Sequence, residues 1–356
     1  MKSTLASPRC PRAHRGWPSI LMVAAALTGC QATVECPPVA PAAPPAPAAS
    51  SGPFTPITVV HPAGAYVAVG DVKLWVEVEG TGEPLVLVAG GPGQSHYFHP
   101  FFSVLTDVAR MVSYDAFGRG KSDQAKSLSE YTFERDVEML EGLRKALGFE
   151  RWAVLGHSYG GMVAQGYAIA HPDRVTKLIL ANTFIDAASW QVSNEVCTEE
   201  IRNLYPEIWD EIQAVRARGL LSNSPEHQKA FRIPSGLCTL RNPEVYSKLP
   251  KGFVTNNWDL AYTIAGADGE FTTGGSIAGL DFRPRLKDLK MPMLVIAGRY
   301  DRLSTMRMAR LYKTHAPQAR FVVFEDGGHI PFLETPDELF TLLRAFLTGK
   351  PLPTKP

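Results

Sequence analysis

The amino-acid sequence predicts an α/β fold, a mostly parallel central sheet covered by helices on both faces, with a helical cap inserted late in the chain. Three observations carry this. Short, nearly continuous apolar runs recur at Pro84–Val88, Ala153–Leu155, Val175–Ala181 and Met293–Ala297, the pattern of strands buried on both faces. Helical patterns alternate with them, as crossovers between parallel strands require. From residue 183 to about 285 the alternation stops.

Element by element, Thr58–Val60 and Val72–Val78 read as opening strands. Pro84–Val88 ends abruptly at Ala89-Gly90-Gly91-Pro92-Gly93, and Met111–Tyr114 ends at Asp115. Thr132–Leu147 places Phe133, Val137, Leu140, Leu143 and Leu147 at three-and-four spacing, an amphipathic helix closed by Gly148. A strand at Ala153–Leu155 precedes a helix at Gly160–Ala170; strands follow at Val175–Ala181, Met293–Ala297 and Phe321–Phe324, and Pro336–Leu347 closes the chain as a helix. Helical pieces around Glu199, Ile208 and Val215, broken by Pro and Gly, form the cap. Residues 57–184 and 286–349 then make the core, 185–285 the cap and 350–356 a tail.

A chain of 356 residues can hold one large α/β domain with an insertion. Its net charge of +1 leaves no basic excess to neutralise phosphates, which argues against a nucleic-acid surface. No apolar run reaches the roughly 18 residues of a membrane-spanning helix. At the N-terminus, Lys2, Arg9, Arg12 and Arg15 precede a short apolar segment, Ile20 to Leu27, which reads as an export signal over 1–29. Leu27-Thr28-Gly29-Cys30 resembles the lipobox of bacterial lipoproteins. That resemblance implies cleavage before Cys30 and lipidation there; with Gln31 next, it implies anchoring in the cell envelope, at the periplasmic face of the outer membrane. Residues 30–56 are a Pro/Ala-rich tether. Cys10 leaves with the signal and Cys36 lies in the tether. Cys197 and Cys238 share the inserted segment, where an exported protein can keep a disulfide; two buried free thiols are the other reading.

The chemistry centres on Gly156-His157-Ser158-Tyr159-Gly160, a G-x-S-x-G pattern between a strand and a helix. In that setting the serine sits on a tight turn with its hydroxyl exposed at the sheet edge. A serine needs a base to take its proton and an acid to orient that base. Asp301 follows the Met293–Ala297 strand, and His329 follows the Phe321–Phe324 strand in a glycine-lined loop, in the chain order this architecture requires. Asp326 is a weaker rival acid because it is too close to His329 along the chain. The oxyanion hole is assigned to the Tyr159 N–H, next to the nucleophile, and the Gly91 N–H in the glycine loop.

These residues carry a family resemblance. From about Val72 to Leu347 the chain resembles the α/β-hydrolases, in particular the proline iminopeptidase group that includes the tricorn-interacting aminopeptidases. Ala89-Gly90-Gly91-Pro92-Gly93 is similar to that group's H-G-G-P-G, with alanine in place of the histidine. Asp115-Ala116-Phe117-Gly118-Arg119-Gly120-Lys121-Ser122 is similar to its D-Q-x-G-x-G-x-S, with alanine in place of the glutamine. Tyr262 to Phe271 loosely resembles its Y-x-x-x-x-G-x-x-E-F. The resemblance implies that Glu270 helps bind the substrate's α-ammonium, with a second cap acid expected; Glu195, Glu199 and Glu200 are the candidates.

The expected function is a lipid-anchored serine hydrolase that removes an N-terminal proline or other small residue from short peptides or amino-acid amides. An esterase or lipase-like hydrolase of small esters is the alternative, and a non-catalytic binding lipoprotein on the same scaffold is the rival of a different class. No cofactor and no metal are called for: His96 and His99 have a ligand-like spacing but no further ligand pattern, and Gly120-Lys121-Ser122 lacks the first glycine of a phosphate loop.

Overall fold

Apolar residues on successive strand positions point to opposite faces of a sheet, and here both faces are buried. Val86, Val154, Leu178 and Val295 pack into one core with Leu140, Leu143, Met162, Val163 and Tyr167. Their strand neighbours Leu87, Leu155, Ile179 and Ile296 pack into a second core with Phe102, Leu339, Leu342 and Leu343. The computed structural model describes residues 60–97, 99–231, 236–249 and 255–353.

The strands are β1 (Gly64–Val69), β2 (Val72–Glu79), β3 (Pro84–Val88), β4 (Arg110–Tyr114), β5 (Trp152–His157), β6 (Val175–Ala181), β7 (Met293–Gly298) and β8 (Arg320–Phe324). They form one eight-stranded sheet in the order β1-β2-β4-β3-β5-β6-β7-β8. β2 pairs antiparallel with β1 and β4, and every later pairing is parallel. β5 and β7 are buried at every residue, which is why they read as unbroken apolar runs.

The Phe133–Ala146 helix starts where the Thr132 side chain accepts a hydrogen bond from Arg135 N, with Glu134 and Asp136 in its first turn. Between β6 and β7 the described residues form helices Ala187–Leu204, Pro206–Arg216, Pro225–Ala230 and Trp258–Ala265. The first two are separate because Pro206 cannot donate the backbone hydrogen bond that would join them. Phe282 N donates to Ile185 O at 3.2 Å and Ala187 N to Leu280 O at 2.8 Å, so the insertion leaves and rejoins the sheet at one place. Cys197 and Cys238 are disulfide-bonded, with Cα atoms 5.7 Å apart, beside a small core of Ile201, Ile212, Ala230 and Leu237.

One expected element is corrected. The first strand among the described residues is Gly64–Val69; Val60, the last residue of the expected Thr58–Val60 strand, lies outside any strand, and residues 58 and 59 lie outside the described residues. The sequence of β1 starts with glycine and alanine, poor strand formers, and owes its conformation to pairing with β2 from Gly64↔Glu77 to Val69↔Val72. The signal, Cys30, Cys36 and the 30–56 tether also lie outside the described residues. Among the described residues no helix is long and apolar enough to cross a membrane.

Candidate active site

Ser158 alone makes the turn between β5 and the Tyr159–Ala170 helix, with φ 55° and ψ −126°, a strained conformation for a residue with a side chain. The turn is held by Ser158 N donating to Ala181 O at 3.1 Å and by the Thr183 hydroxyl donating to Ser158 O at 2.6 Å. The flanking glycines are sterically required. A Cβ on Gly156 would come within 2.3 Å of Gly160 O, and one on Gly160 within 2.1 Å of Val88 O.

Asp301 and His329 meet as the sequence predicts. His329 Nδ1 lies 2.9 Å from Asp301 Oδ2, both side chains being buried. Asp301 Oδ1 accepts from Leu303 N at 2.8 Å and Ser304 N at 2.9 Å, while Oδ2 also takes the Ser304 hydroxyl. Burial alone would raise the Asp301 carboxyl, but the His329 charge and these hydrogen bonds outweigh it and hold it below the usual carboxylate range. With Nδ1 committed to Asp301, Nε2 is the nitrogen left to serve the nucleophile. Ser158 Oγ makes no hydrogen bond to it in this structure; such contacts are often long before substrate binds. Asp326 is no rival, because its exposed side chain pairs with Arg241.

Asn182 belongs to the site and was missed from sequence. At φ 48° it projects its amide to Asp301 Oδ2 and to Gly328 O, each at 2.9 Å, tying the acid to the histidine loop. The signal was available: Asn182 is the first residue past β6, which lies between β5 and β7. The loop has further anchors. His157 Nε2 donates to His329 O at 2.7 Å, and His329 N donates to Thr239 O in the cap at 2.6 Å. Burial pushes the His157 ring down to about 3, aided by the His329 charge, so it stays neutral in this role.

Beneath the predicted oxyanion donors lies a second unforeseen group. Arg119 forms a bidentate pair with Asp136, at 2.6 and 2.7 Å, and donates from Nε to Pro92 O at 2.8 Å. The Tyr159 hydroxyl donates to Asp136 Oδ2 at 2.7 Å. The pair thus links the glycine loop to the residue after Ser158. Ala89 and Ala116, the two departures from the resembled motifs, line one small cavity here with Gln94, Arg119 and Tyr159.

Ser158 opens into a cavity of ≈ 160 Å³ whose walls include Gly91, Trp190, Trp258, Tyr262 and Glu270. A void of about 150 Å³ holds a benzene ring, so this one accommodates a single small side chain or ring. Glu270 is the one carboxylate among the described residues that line it, and Tyr262 OH donates to its Oε1 at 3.4 Å. Burial pushes the Glu270 carboxyl up to about 7; the Tyr262 hydroxyl opposes the rise and the Asp268 charge adds to it. Of the expected second acids, Glu195 and Glu199 are exposed and Glu200 faces Arg302 at 3.8 Å; none lines the cavity. They project from other faces of the Ala187–Leu204 helix, which gives the cavity Trp190, Ser193 and Asn194 instead.

Residues 83–336 match the family model described as alpha/beta hydrolase fold. The proline iminopeptidase of Heyndrickxia coagulans is 28% identical over 273 residues, 76% of this chain and 92% of that one. The proline iminopeptidase of Saccharolobus solfataricus is 30% identical over 276 residues, 76% of this chain and 86% of that one. The crystal structure of a proline iminopeptidase from Mycobacterium smegmatis superposes with a TM-score of 0.63 at 24% identity, covering 81% of this chain and 98% of that one, which bears on the fold alone. The strained serine at the strand–helix turn, the parallel sheet and these matches agree: the chain belongs to the α/β-hydrolase family, in its proline iminopeptidase-like group.

Proposed function

We propose that this hydrolase is a serine aminopeptidase of the proline iminopeptidase type, releasing an N-terminal proline or other small residue from short peptides or amino-acid amides. The observation that carries this reading is that Ser158 and Glu270 face the same small, aromatic-walled cavity. A carboxylate there pairs with a substrate's free ammonium and sets the first carbonyl at the nucleophile.

In this reading Ser158 Oγ attacks that carbonyl carbon while His329 Nε2 takes the hydroxyl proton, and Asp301 stabilises the imidazolium. The Gly91 and Tyr159 N–H groups receive the oxyanion, the latter at the positive end of a helix. Collapse expels the amine, which takes the proton from His329. Water, deprotonated by the same ring, then splits the acyl-serine and frees the N-terminal residue. Turnover of chromogenic prolyl and alanyl amides beside butyryl esters tests the assignment. Amide turnover lost in Ser158→Ala supports it, and ester turnover alone defeats it. A fluorophosphonate probe that fails to label the wild type while labelling a control hydrolase would favour the non-catalytic scaffold.

For location we propose lipid anchoring at Cys30 in the bacterial envelope, at the periplasmic face of the outer membrane. The charged and apolar order of residues 2–30 supports this, as does the Cys197–Cys238 disulfide, a bond that persists in oxidising compartments. Cys30→Ala should move the protein from the membrane fraction to the soluble fraction; an unchanged distribution counts against the anchor.

A further inference from the structure

A cluster near the antiparallel edge of the sheet plays no part in the hydrolase chemistry. His61 Nδ1 lies 2.9 Å from Glu77 Oε2, and His96 Nε2 lies 3.1 Å from Glu77 Oε1. One ligand atom from each of the three residues lies within 4.8 Å of the other two. Glu77 and His96 are buried, and His61 forms the open side. The spacing of His96 and His99 in the sequence suggested no complete ligand set. The fold supplies one from elsewhere: Glu77 from β2 and His61 from just ahead of β1.

Three features distinguish this cluster from ordinary polar packing. His96 Nε2 is buried and close to Glu77, yet it makes no hydrogen bond of acceptable geometry. Its other nitrogen, Nδ1, is held by Asp115 Oδ1 at 2.7 Å, the carboxylate–imidazole arrangement that orients histidine ligands in metal sites. Trp75 Nε1 donates to Glu77 Oε1 at 3.0 Å, which orients the carboxylate as well. A tetrahedral ion with bonds of about 2.0–2.2 Å needs donors about 3.3–3.6 Å apart. The two imidazole–carboxylate contacts would open by a few tenths of an ångström, and the imidazole–imidazole separation, within 4.8 Å, is for the more exposed His61 to close.

We propose that His61, Glu77 and His96 bind one divalent cation of the zinc type, with the fourth coordination position open to solvent beside His61. Two imidazoles and a carboxylate are a donor set suited to zinc. The Glu77 and Asp115 carboxylates balance the ion's charge. None of the three ligands lines the Ser158 cavity, so the ion acts as a staple. It fastens the segment ahead of β1 to β2 and to the loop running from Gly91 to His96.

The test is calorimetric titration of the metal-free full chain with zinc chloride, together with thermal unfolding with and without zinc. The wild type should bind one ion more per chain than Glu77→Gln, and zinc should raise its Tm. His61→Ala should bind at least tenfold more weakly and lose the zinc-dependent rise. Its metal-free Tm should stay near that of the wild type, because His61 is the most exposed of the three ligands. Equal zinc affinity and an equal Tm rise in His61→Ala, or no zinc uptake by the wild type beyond that of Glu77→Gln, would overturn the site.

Discussion

Arg119 and Asp136 form a fully buried, two-pronged ion pair directly beneath the residues assigned to the oxyanion hole. Through Pro92 O on one side and Tyr159 OH on the other, the pair sets the spacing of the Gly91 and Tyr159 amides. Removing one partner strands a buried charge, at a cost of about 3–5 kcal/mol. Asp136→Asn should therefore lower both Tm and kcat. The double variant Arg119→Met/Asp136→Leu should recover much of the Tm while kcat stays at least tenfold down and KM changes little. Recovery of kcat along with Tm would reduce the pair to a packing element.

Glu270 carries a cost in the substrate-free enzyme. Its carboxyl, raised from 4.5 to about 7, keeps its proton in the fold at pH values where the unfolded chain has lost it. The stabilising difference is thus complete below about 4.5 and is lost as pH rises to about 7, at about 1.4 kcal/mol per unit. Glu270→Gln should raise Tm by a few degrees at pH 8 and hardly at all at pH 4.5. The same variant should lose at least tenfold in kcat/KM on free-amine substrates and little on esters.

The same carboxyl predicts a pH limb. Pairing with an ammonium needs the ionised form, so kcat/KM for prolyl amides should fall as pH drops through about 7. Comparison with Glu270→Gln isolates this limb from the titration of the catalytic base. An identical acid limb in both proteins would show that Glu270 does not govern it.

Asp301→Asn should reduce kcat by about 10⁴ through loss of the correct imidazole orientation. Asn182→Ala should cost about 10- to 100-fold, the range for a hydrogen bond to a charged group. Because Asn182 also holds Gly328 O, the loss should appear in kcat while KM stays close to that of the wild type.

Each member of the triad was legible because it follows an apolar strand whose end shows in the sequence. Ser158 had glycine on both sides, Asp301 and His329 had loops rich in glycine or charge, and chain order did the rest. Asn182 has the same placement but no motif around it. Arg119 and Asp136 are 17 positions apart, one in a loop and one in a helix, and only the packing of that helix under the glycine loop joins them. β1 was misplaced for the converse reason: its own residues specify little, and its partner strand specifies it.

The Cys197–Cys238 bond closes 41 residues, for which chain entropy gives about 4 kcal/mol. Cys238 is adjacent to Thr239, whose carbonyl receives the His329 amide. Cys197→Ser/Cys238→Ser should therefore lower Tm and also slow acylation, seen as a smaller rate of fluorophosphonate labelling measured well below Tm. Loss of Tm with an unchanged labelling rate would confine the bond to stability.

The pairing of Ile185 and Ala187 with Phe282 and Leu280 brings the two ends of the insertion together beside the sheet. Beyond those ends the insertion also holds the core: Ser95 N donates to Thr255 O at 3.1 Å and Asn257 N to Gly93 O at 3.0 Å beside the glycine loop. Substrate preference in this scaffold can accordingly be rewritten as a cassette, provided the replacement keeps the backbone partners of the glycine loop and still offers a carbonyl where Thr239 now meets the histidine loop.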